Sequence, residues 1–293
     1  MPQTHKSSPV WRWTRHAAAR REDTWRERLA AFESALVVHS RPGSRMMRLE
    51  LYSDLGAPLR RLAREFGGKV EKIDAAKIVA RAAVPRRPLR LGRDLAVIDM
   101  HGSWPERLPA PRILLCIGGA MAFGTGEHAT TAACLRLLRD EAARLHPGWT
   151  ALDIGTGSGI LAIAAEKFGA DRVEAFDNDP RAVQAALTNA RRNRCKRITI
   201  SVADVLAQRA APSRHTVVMA NIYSEILRAA APGIARAVAP GGCLVLSGIL
   251  RDRAEETLRD FAAQGLVLEK TSRRGKWLTM QLRHTGKTPG RAV

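Results

Sequence analysis

The sequence predicts an α/β protein of two domains, a small α+β ferredoxin-like sandwich followed by a larger, doubly wound and mostly parallel sheet. Three observations support this prediction. The chain has 293 residues, about twice the length of an average domain. Short strand-like and helix-like segments alternate over the first 80 residues, whereas apolar strands and longer helices alternate from Ile113 onward. With 45% hydrophobic and 26% charged residues, the composition is that of a folded globular protein.

The predicted N-terminal domain covers residues 1–80 and has the element order βαββαβ, which is typical of a ferredoxin-like sandwich. Alternating apolar residues indicate the strands, and the first strand places Trp11 and Trp13 on one face. Amphipathic spacing indicates the two helices, and a glycine pair closes the second. The six segments are VWRWTRH, TWRERLAAF, ALVVHS, MMRLELYS, LGAPLRRLAREFGG and KVEKID.

Residues 81–112 begin with the Arg- and Pro-containing stretch RAAVPRRPLRLG and are predicted to be a linker. The second domain is predicted over 113–285, and a flexible tail over 286–293. Helices are expected to begin near Gly159, Pro180, Ser224 and Asp252. The strands expected between them are ALDIG, VEAFDND, ITISVAD, HTVVMANI and CLVLSGI, with WLTMQLR as a late antiparallel strand.

The formal net charge is +20, and its density is about doubled in the first third of the chain, where residues 1–99 hold 21 basic and 11 acidic side chains. Such an excess favours a docking surface for an acidic or RNA-containing partner. The competing interpretation is a merely solvated basic face.

The sequence has no apolar run of about 18 residues and no apolar signal core near its start, which predicts a cytoplasmic protein with no membrane contact. The four cysteines, Cys116, Cys134, Cys195 and Cys243, are far apart, so we expect neither a disulfide framework nor a metal site.

The densest chemical signal is ALDIGTGSGILAIAAEKFGA, in which an apolar strand ends in Asp153 and a helix follows a glycine-rich turn. Gly155 and Gly157 let a ligand approach the backbone and permit the sharp turn. Asp177 ends the next strand, where its carboxylate can accept hydrogen bonds from ribose hydroxyls. Together these residues predict a nucleotide-type cofactor.

Two cofactor classes fit this pattern. Taken from Gly157, the turn satisfies the dinucleotide pattern G-x-G-x-x-A, which keeps an NAD-dependent oxidoreductase as an alternative. However, Asp153 would repel a pyrophosphate at the helix N-terminus. S-adenosylmethionine carries a sulfonium and an ammonium, so a carboxylate there favours this cofactor.

Two further segments carry candidate residues. A loop flanked by glycines leads to Glu127, His128 and Thr131 at the expected start of a helix, where each has an ordinary capping or polar role as its alternative. Asn221 ends the fourth strand at the carboxyl edge of the sheet, and Tyr223 follows it. Ligands bind at that edge in open α/β sheets, and the Asn221 amide oxygen can accept a hydrogen bond from an amine.

Five runs of the sequence together resemble the ribosomal protein L11 methyltransferases (PrmA type), class I S-adenosylmethionine-dependent protein methyltransferases. The resemblance extends from about Leu89 to Trp277, while the first 80 residues match in predicted layout alone. The runs are MAFGTGEHATTAACLRLL, LDIGTGSGILAIAAEKFGA, FDNDPRAVQAALTNARRN, VVMANIYSEIL and APGGCLVLSGIL.

This resemblance implies S-adenosylmethionine as cofactor, a lysine or amino group of ribosomal protein L11 as methyl acceptor, and an N-terminal domain that recognises that substrate. It implies cofactor contacts by Thr131, Gly155, Asp177 and Asn221. The chain departs from the family pattern before Phe123 and at Tyr223, which stands where a Leu is expected. The alternatives are methylation of another protein, with a mitochondrial location, or of an RNA or a small molecule.

Overall fold

The computed structural model contains two compact units, residues 1–84 and residues 85–293, and each is described by itself. Glu127, His128 and nearly all of the predicted tail lie outside the described residues. The structure describes residues 10–29, 32, 36–40, 44–73, 88–100, 102–118, 129–207 and 213–286.

The N-terminal unit has the predicted βαββαβ order. Its four strands form one antiparallel sheet in the order β2-β3-β1-β4, so the first and last strands of the chain segment pair with each other. This confirms the ferredoxin-like prediction. The elements are β1 (Val10–Ala18), α1 (Glu22–Arg28), β2 (Leu36–Ser40), β3 (Met46–Ser53), α2 (Gly56–Phe66) and β4 (Lys69–Ile73).

The core of this unit forms around Trp13, which is fully buried and donates from Nε1 to the carbonyl of Gly67 over 2.9 Å. Trp11 packs against the same core, as the alternation of β1 predicts. Trp25 of α1 meets Phe66 of α2 edge to face at 5.7 Å. The two helices therefore cover one face of the sheet.

The second unit is built around a seven-stranded sheet in the order β10-β9-β8-β11-β12-β14-β13. All pairs are parallel except those that β14 makes with its two neighbours. Its elements, with those of a smaller sheet, are β5 (Leu89–Leu91), β6 (Leu95–Asp99), β7 (Ile113–Ile117), α3 (Ala129–Ala142), β8 (Thr150–Ile154), α4 (Ile160–Lys167), β9 (Arg172–Asp177), α5 (Pro180–Arg192), β10 (Ile198–Val202), β11 (His215–Asn221), α6 (Ser224–Ala229), α7 (Ala231–Ala237), β12 (Val238–Leu250), α8 (Ala254–Ala262), β13 (Leu266–Arg274) and β14 (Trp277–His284).

The segment expected to be a linker contains part of a three-stranded sheet. β5 pairs antiparallel with β6, and β6 pairs parallel with β7. Leu91 and Leu95 are fully buried in the same core as α3 and α4. The linker prediction missed these strands because each is short and lies among Arg, Pro and Gly residues. The apolar run LAVID, which forms β6, was the available signal.

β13 was not expected from the sequence. It is an edge strand that begins with the three apolar residues 266–268 and continues with polar and charged ones, and its partner β14 follows a two-residue turn. Charged contacts hold this hairpin to α3: Arg283 donates to both oxygens of the buried Glu141 over 2.6 and 3.0 Å and also to Glu269. Pairing with two carboxylates, Glu269 first, raises the pKa of Arg283.

Among the described residues, no helix is long and apolar enough to cross a membrane.

Candidate functional site

Three predicted site residues lie at one level on adjacent strands. Ala220 of β11 is opposite Ile154 of β8, which is opposite Phe176 of β9. The residues that directly follow these three are Asn221, Gly155 and Asp177, respectively. The register therefore brings these three residues together at the carboxyl edge of the sheet, as the sequence predicted.

The glycine-rich turn after β8 depends on backbone conformations that favour glycine. Gly155 has φ +67°, and a Cβ atom there would lie 2.3 Å from Cγ2 of Ile222. Gly159 has φ +81° at the start of α4, and a Cβ there would lie 3.0 Å from that of Ala186 on α5. The turn thus passes close to both neighbouring segments, and a side chain would displace it.

Asp177 organises the edge next to this turn. Its Oδ2 accepts from the amide of Gly157 over 2.9 Å, and its Oδ1 accepts from the amide of Asp179 over 3.0 Å. The side chain stays partly exposed. Because each carboxylate oxygen has two lone pairs, both can accept a further hydrogen bond from a ligand hydroxyl.

Asp153 points into the protein, away from the position expected for a ligand contact. Its Oδ2 accepts from Oγ1 of Thr156 over 2.7 Å and from the amide of Ala162 over 3.1 Å. The residue is 1% exposed, and this burial raises the pKa of Asp153 to about 6. The carboxylate therefore ties the turn to the first part of α4.

Asn221 and Thr131 are joined across the entrance to α3. Asn221 Nδ2 donates to Oγ1 of the fully buried Thr131 over 3.4 Å. The Asn221 Oδ1 atom is buried and has no hydrogen-bond partner among the described residues. A buried polar atom left without a partner is costly, which marks Oδ1 as an acceptor position for a ligand.

Tyr223 lies two residues beyond Asn221 and precedes the first residue of α6. It is 39% exposed, so its ring lies on the surface beside the edge where a substrate would approach.

Two asparagines that the sequence analysis did not identify hold the neighbouring segment. Asn189 Nδ2 donates to the carbonyls of Gly118 and Ser158, and its Oδ1 accepts from the amide of Gly118, all over 2.9 Å. Asn193 makes the same two-point contact with the backbone of Cys116, over 2.9 and 2.7 Å. Their spacing of four on one helix face was the available signal.

The cysteines are free thiols. Burial raises the pKa of each, for Cys195 to about 11 and for Cys134 to about 12. Such thiols are poor nucleophiles at neutral pH. Within the parts of the chain that the structure describes, no group of three or more His, Cys, Asp or Glu side chains could hold a metal ion.

The chemistry available at this edge is ligand binding and alignment. A positive-φ glycine turn, a carboxylate on the next strand and an amide acceptor on the strand opposite form a cradle for a nucleoside-like ligand with hydroxyl and amine donors. With its strand order and late antiparallel strand, the second unit has the class I methyltransferase fold.

Comparison with known proteins agrees with this fold. The family model described as ribosomal protein L11 methyltransferase (PrmA) matches residues 50–285. The chain therefore belongs to this family. A ribosomal protein L11 methyltransferase of Pelobacter propionicus is 40% identical over 205 residues, which cover 69% of this chain and 64% of the relative. One of Geobacter metallireducens is 41% identical over 193 residues, covering 65% and 60%.

A crystal structure of a ribosomal protein L11 methylase from Lactobacillus delbrueckii subsp. bulgaricus is also similar, with 28% identity and a TM-score of 0.60. The match covers 67% of this chain and 98% of that one. By contrast, the chain spans under two thirds of the length of the two relatives named above.

Proposed function

We propose that the protein transfers methyl groups from S-adenosylmethionine to lysine or other amino groups of a protein, with ribosomal protein L11 as the substrate. The observation that carries this proposal is the position of Asn221, whose buried Oδ1 has no partner among the described residues and lies level with Gly155 and Asp177. The family to which the chain belongs supports both the chemistry and the substrate.

The residues at the edge fit this cofactor. Asp177 would hold the ribose hydroxyls, and Gly155 and Gly157 would let the ligand lie against the turn. Thr131 and Asn221 would contact the opposite side of the ligand. We assign Asp153 to the same group through its place beneath the turn, where its ionised form adds negative charge below a cationic ligand. The bound cofactor supplies an electrophilic methyl group on a positively charged sulfur.

The protein's own contribution is alignment. Orientation of two reactants contributes up to about 7 to 11 kcal/mol in well-aligned systems, so no covalent nucleophile is needed. The acceptor amine must first lose a proton, and the pKa of a free lysine is about 10.4. Partial desolvation beside Asn221 and Tyr223 would lower it. We propose that Asn221 Oδ1 accepts from an amine N–H and that solvent takes the proton.

We propose that the N-terminal unit recognises the protein substrate. Its sheet and helices hold none of the residues that form the cradle, so it is available for binding. Contact with the ribosome or RNA through the basic N-terminal third remains a prediction. Several cations there have partners: Arg12 and Arg48 contact the buried Glu50, and Lys69 contacts Glu71. Because the cysteines are free thiols, the proposal places the reaction in the cytoplasm.

Calorimetry tests the cofactor. We expect the purified protein to bind S-adenosylmethionine and S-adenosylhomocysteine without added metal and not to bind NADH. Binding of NADH without S-adenosylhomocysteine would refute the proposal.

Mass spectrometry of ribosomal protein L11 after incubation with the enzyme and cofactor tests the substrate. We expect mass increments of whole methyl groups at amino groups. If RNA or other proteins in a lysate are methylated while L11 is unmodified, L11 is not the substrate.

Removal of residues 1–84 should preserve S-adenosylhomocysteine binding and should abolish methylation of L11. Circular dichroism must first verify that the shortened chain folds. Full activity of this variant would contradict the role of the N-terminal unit.

A further inference from the structure

A short basic surface lies where α5 leads into β10. Residues 191–197 read RRNRCKR, so five of the seven are cations and none is acidic. All five are exposed, while Asn193 between them is buried. We call this the 191–197 surface; its cations are Arg191, Arg192, Arg194, Lys196 and Arg197.

This surface and the cradle lie toward opposite edges of the sheet, although Arg192 contacts Asn189, which holds the glycine-rich turn. A connection from a helix to the next parallel strand lies at the amino edge of the sheet, and the cradle lies at the carboxyl edge. None of the residues of the 191–197 surface belongs to the cradle. A partner bound at the surface would therefore leave the cofactor edge accessible.

Carboxylates neutralise little of this charge. Arg197 reaches Asp171 over 3.5 Å, and both side chains are about half exposed, so the pair is weak. The neighbouring Arg172 has its own partner, Glu174. Within the described residues, Arg191, Arg194 and Lys196 form no ion pair.

The backbone of the surface is fixed. The buried carboxylate of Glu166 accepts from the amides of Lys196 and Arg197 over 3.0 and 2.9 Å. The end of α5 forms a Schellman motif, in which the amide of Cys195 bonds to the carbonyl of Ala190 and that of Arg194 to the carbonyl of Arg191. The cations are thus displayed on a rigid support, which reduces the entropy lost on binding.

Arg194 occupies the position of this motif at which glycine is usual. Its φ is +54°, and among the described residues it alone has a positive φ without being glycine. A left-handed conformation costs an L-residue about 1–2 kcal/mol. The chain therefore retains a cation here at the expense of stability, which is the pattern expected where a side chain serves binding.

We propose that the 191–197 surface binds the phosphate backbone of single-stranded RNA. Four of its five cations are arginines, whose planar guanidinium groups contact phosphate through paired hydrogen bonds. A surface of one turn and its flanks suits a flexible strand better than a duplex groove. The choice of RNA over other polyanions rests on the proposed function, in which the substrate is a ribosomal protein. The inference that this surface binds a polyanion does not depend on that proposal.

The test measures the affinity for a fluorescently labelled, mixed-sequence 20-nucleotide RNA by anisotropy, with the full chain. The variant Arg191→Gln/Arg194→Gln/Lys196→Gln should bind about tenfold or more weakly at low salt. The slope of log affinity against log salt concentration should become about 2 less steep. Each single-strand phosphate contact contributes about 0.7 to this slope, and the variant removes three cations. The control Arg112→Gln/Arg144→Gln/Arg259→Gln removes the same charge from scattered exposed positions and should bind RNA like wild type.

Arg194→Gly separates binding from stability. It should raise the melting temperature by about 2 to 4 °C, because glycine adopts the left-handed conformation without strain, while weakening RNA binding. Equal losses of affinity in the triple variant and its scattered control would overturn the proposal, as would an unchanged affinity in both.

Two further measurements complete the test. The first is binding to vesicles that contain phosphatidylserine. If the surface binds these vesicles and does not bind RNA, its ligand is a membrane and the proposal is overturned. Methylation of isolated L11 by the triple variant should equal that of wild type. If the wild-type protein does not methylate L11 but its RNA binding depends on the 191–197 surface, the proposed substrate is wrong and the RNA-binding proposal is still supported.

Discussion

Asn189 and Gly118 exchange two hydrogen bonds, one in each direction, both over 2.9 Å. Gly118 directly follows β7, and Asn189 lies on α5, so a side-chain amide takes the place that a neighbouring strand would occupy. The same amide group donates to Ser158 in the glycine-rich turn. One buried side chain therefore fixes the position of that turn relative to the end of β7.

Replacing Asn189 by Ala should lower the free energy of unfolding by about 3 kcal/mol or more, because it removes hydrogen bonds to three buried backbone groups at about 1–3 kcal/mol each. S-adenosylhomocysteine affinity should fall as well, since Ser158 loses its hydrogen bond to Asn189. Asn193→Ala is the matched control: it removes the contacts to Cys116 and touches no residue of the turn. Urea denaturation and calorimetry give the two quantities. Equal losses of affinity in both variants would contradict the role given to Asn189.

Replacing Asp177 by Ala should weaken S-adenosylhomocysteine binding by about 1.5–3 kcal/mol, the usual contribution of a hydrogen bond to a charged group. Asp179→Ala is a suitable control, because its side chain caps α5 by accepting from the amide of Arg181. It should cost about 1 kcal/mol of stability and leave the calorimetric affinity unchanged. An Asp177 variant that folds and binds normally would place this carboxylate outside the site.

Replacing Asn221 by Ala should slow methyl transfer about tenfold to 100-fold, a loss expected when one reactant is misaligned. Stability should change little, because the side chain makes one long hydrogen bond among the described residues and has an unpaired buried oxygen. Initial rates and thermal melting should be measured on the same preparation. Thr131→Val removes the hydroxyl at the other end of that contact and should be milder. A fully active Asn221→Ala enzyme would refute the proposed acceptor role.

Replacing Gly155 by Ala should destabilise the protein by two causes that can be separated. The positive φ costs about 1–2 kcal/mol, and the clash with Ile222 adds about 1–3 kcal/mol. Gly275→Ala isolates the first cause, since φ there is +59° and an added Cβ would meet no atom within 4 Å. Chemical denaturation should show a larger loss for Gly155→Ala, and Ile222→Ala in the same chain should recover part of it. Identical losses at both glycines would exclude the clash.

The raised pKa of Asp153 makes stability fall as pH rises. Burial raises that pKa from 3.8 to about 6, so the folded state holds the proton more tightly than the unfolded state between these values. Relative to Asp153→Asn, wild type should lose about 3 kcal/mol of unfolding free energy from about pH 4 to about pH 6, at 1.36 kcal/mol per pKa unit, and nothing further above that. Denaturation at several pH values measures this, and parallel curves would show that the carboxyl group titrates normally.

Strong periodicity made most of the fold predictable. Strands such as HTVVMAN and helices such as PRAVQAALTNARR carry their pattern locally, and the strands that end in Asp177 and Asn221 pointed to two candidate site residues. β13 was missed because LVLEKTSRR has only three apolar residues at its start and then no alternation of apolar and polar residues. The strand is fixed by pairing with β14, which the local sequence does not encode.

The contacts of the site residues depended on tertiary structure. Asp153 lies one residue before the end of β8, where a ligand contact was expected, yet its carboxylate turns inward and accepts from Thr156 and Ala162. Asn189 and Asn193 appeared as ordinary helix residues because their partners, Gly118 and Cys116, lie more than 70 residues away in the chain. Pattern analysis identifies which residues reach the edge of the sheet, whereas packing decides which of them remain free to contact a ligand.

The position of β14 between β12 and β13 sets the order in which the chain can complete its sheet during synthesis. β13 pairs with β14 alone among the described strands, so it emerges from the ribosome before its partner exists and must wait, exposed, for Trp277–His284. A chain that stopped before Trp277 would lack β14, and β13 would then have no strand to pair with. Glu141 would then lose both of its β14 partners, Gln281 and Arg283, and the face of the sheet that β14 covers would be exposed, so quality control in the cell should recognise and degrade such a fragment.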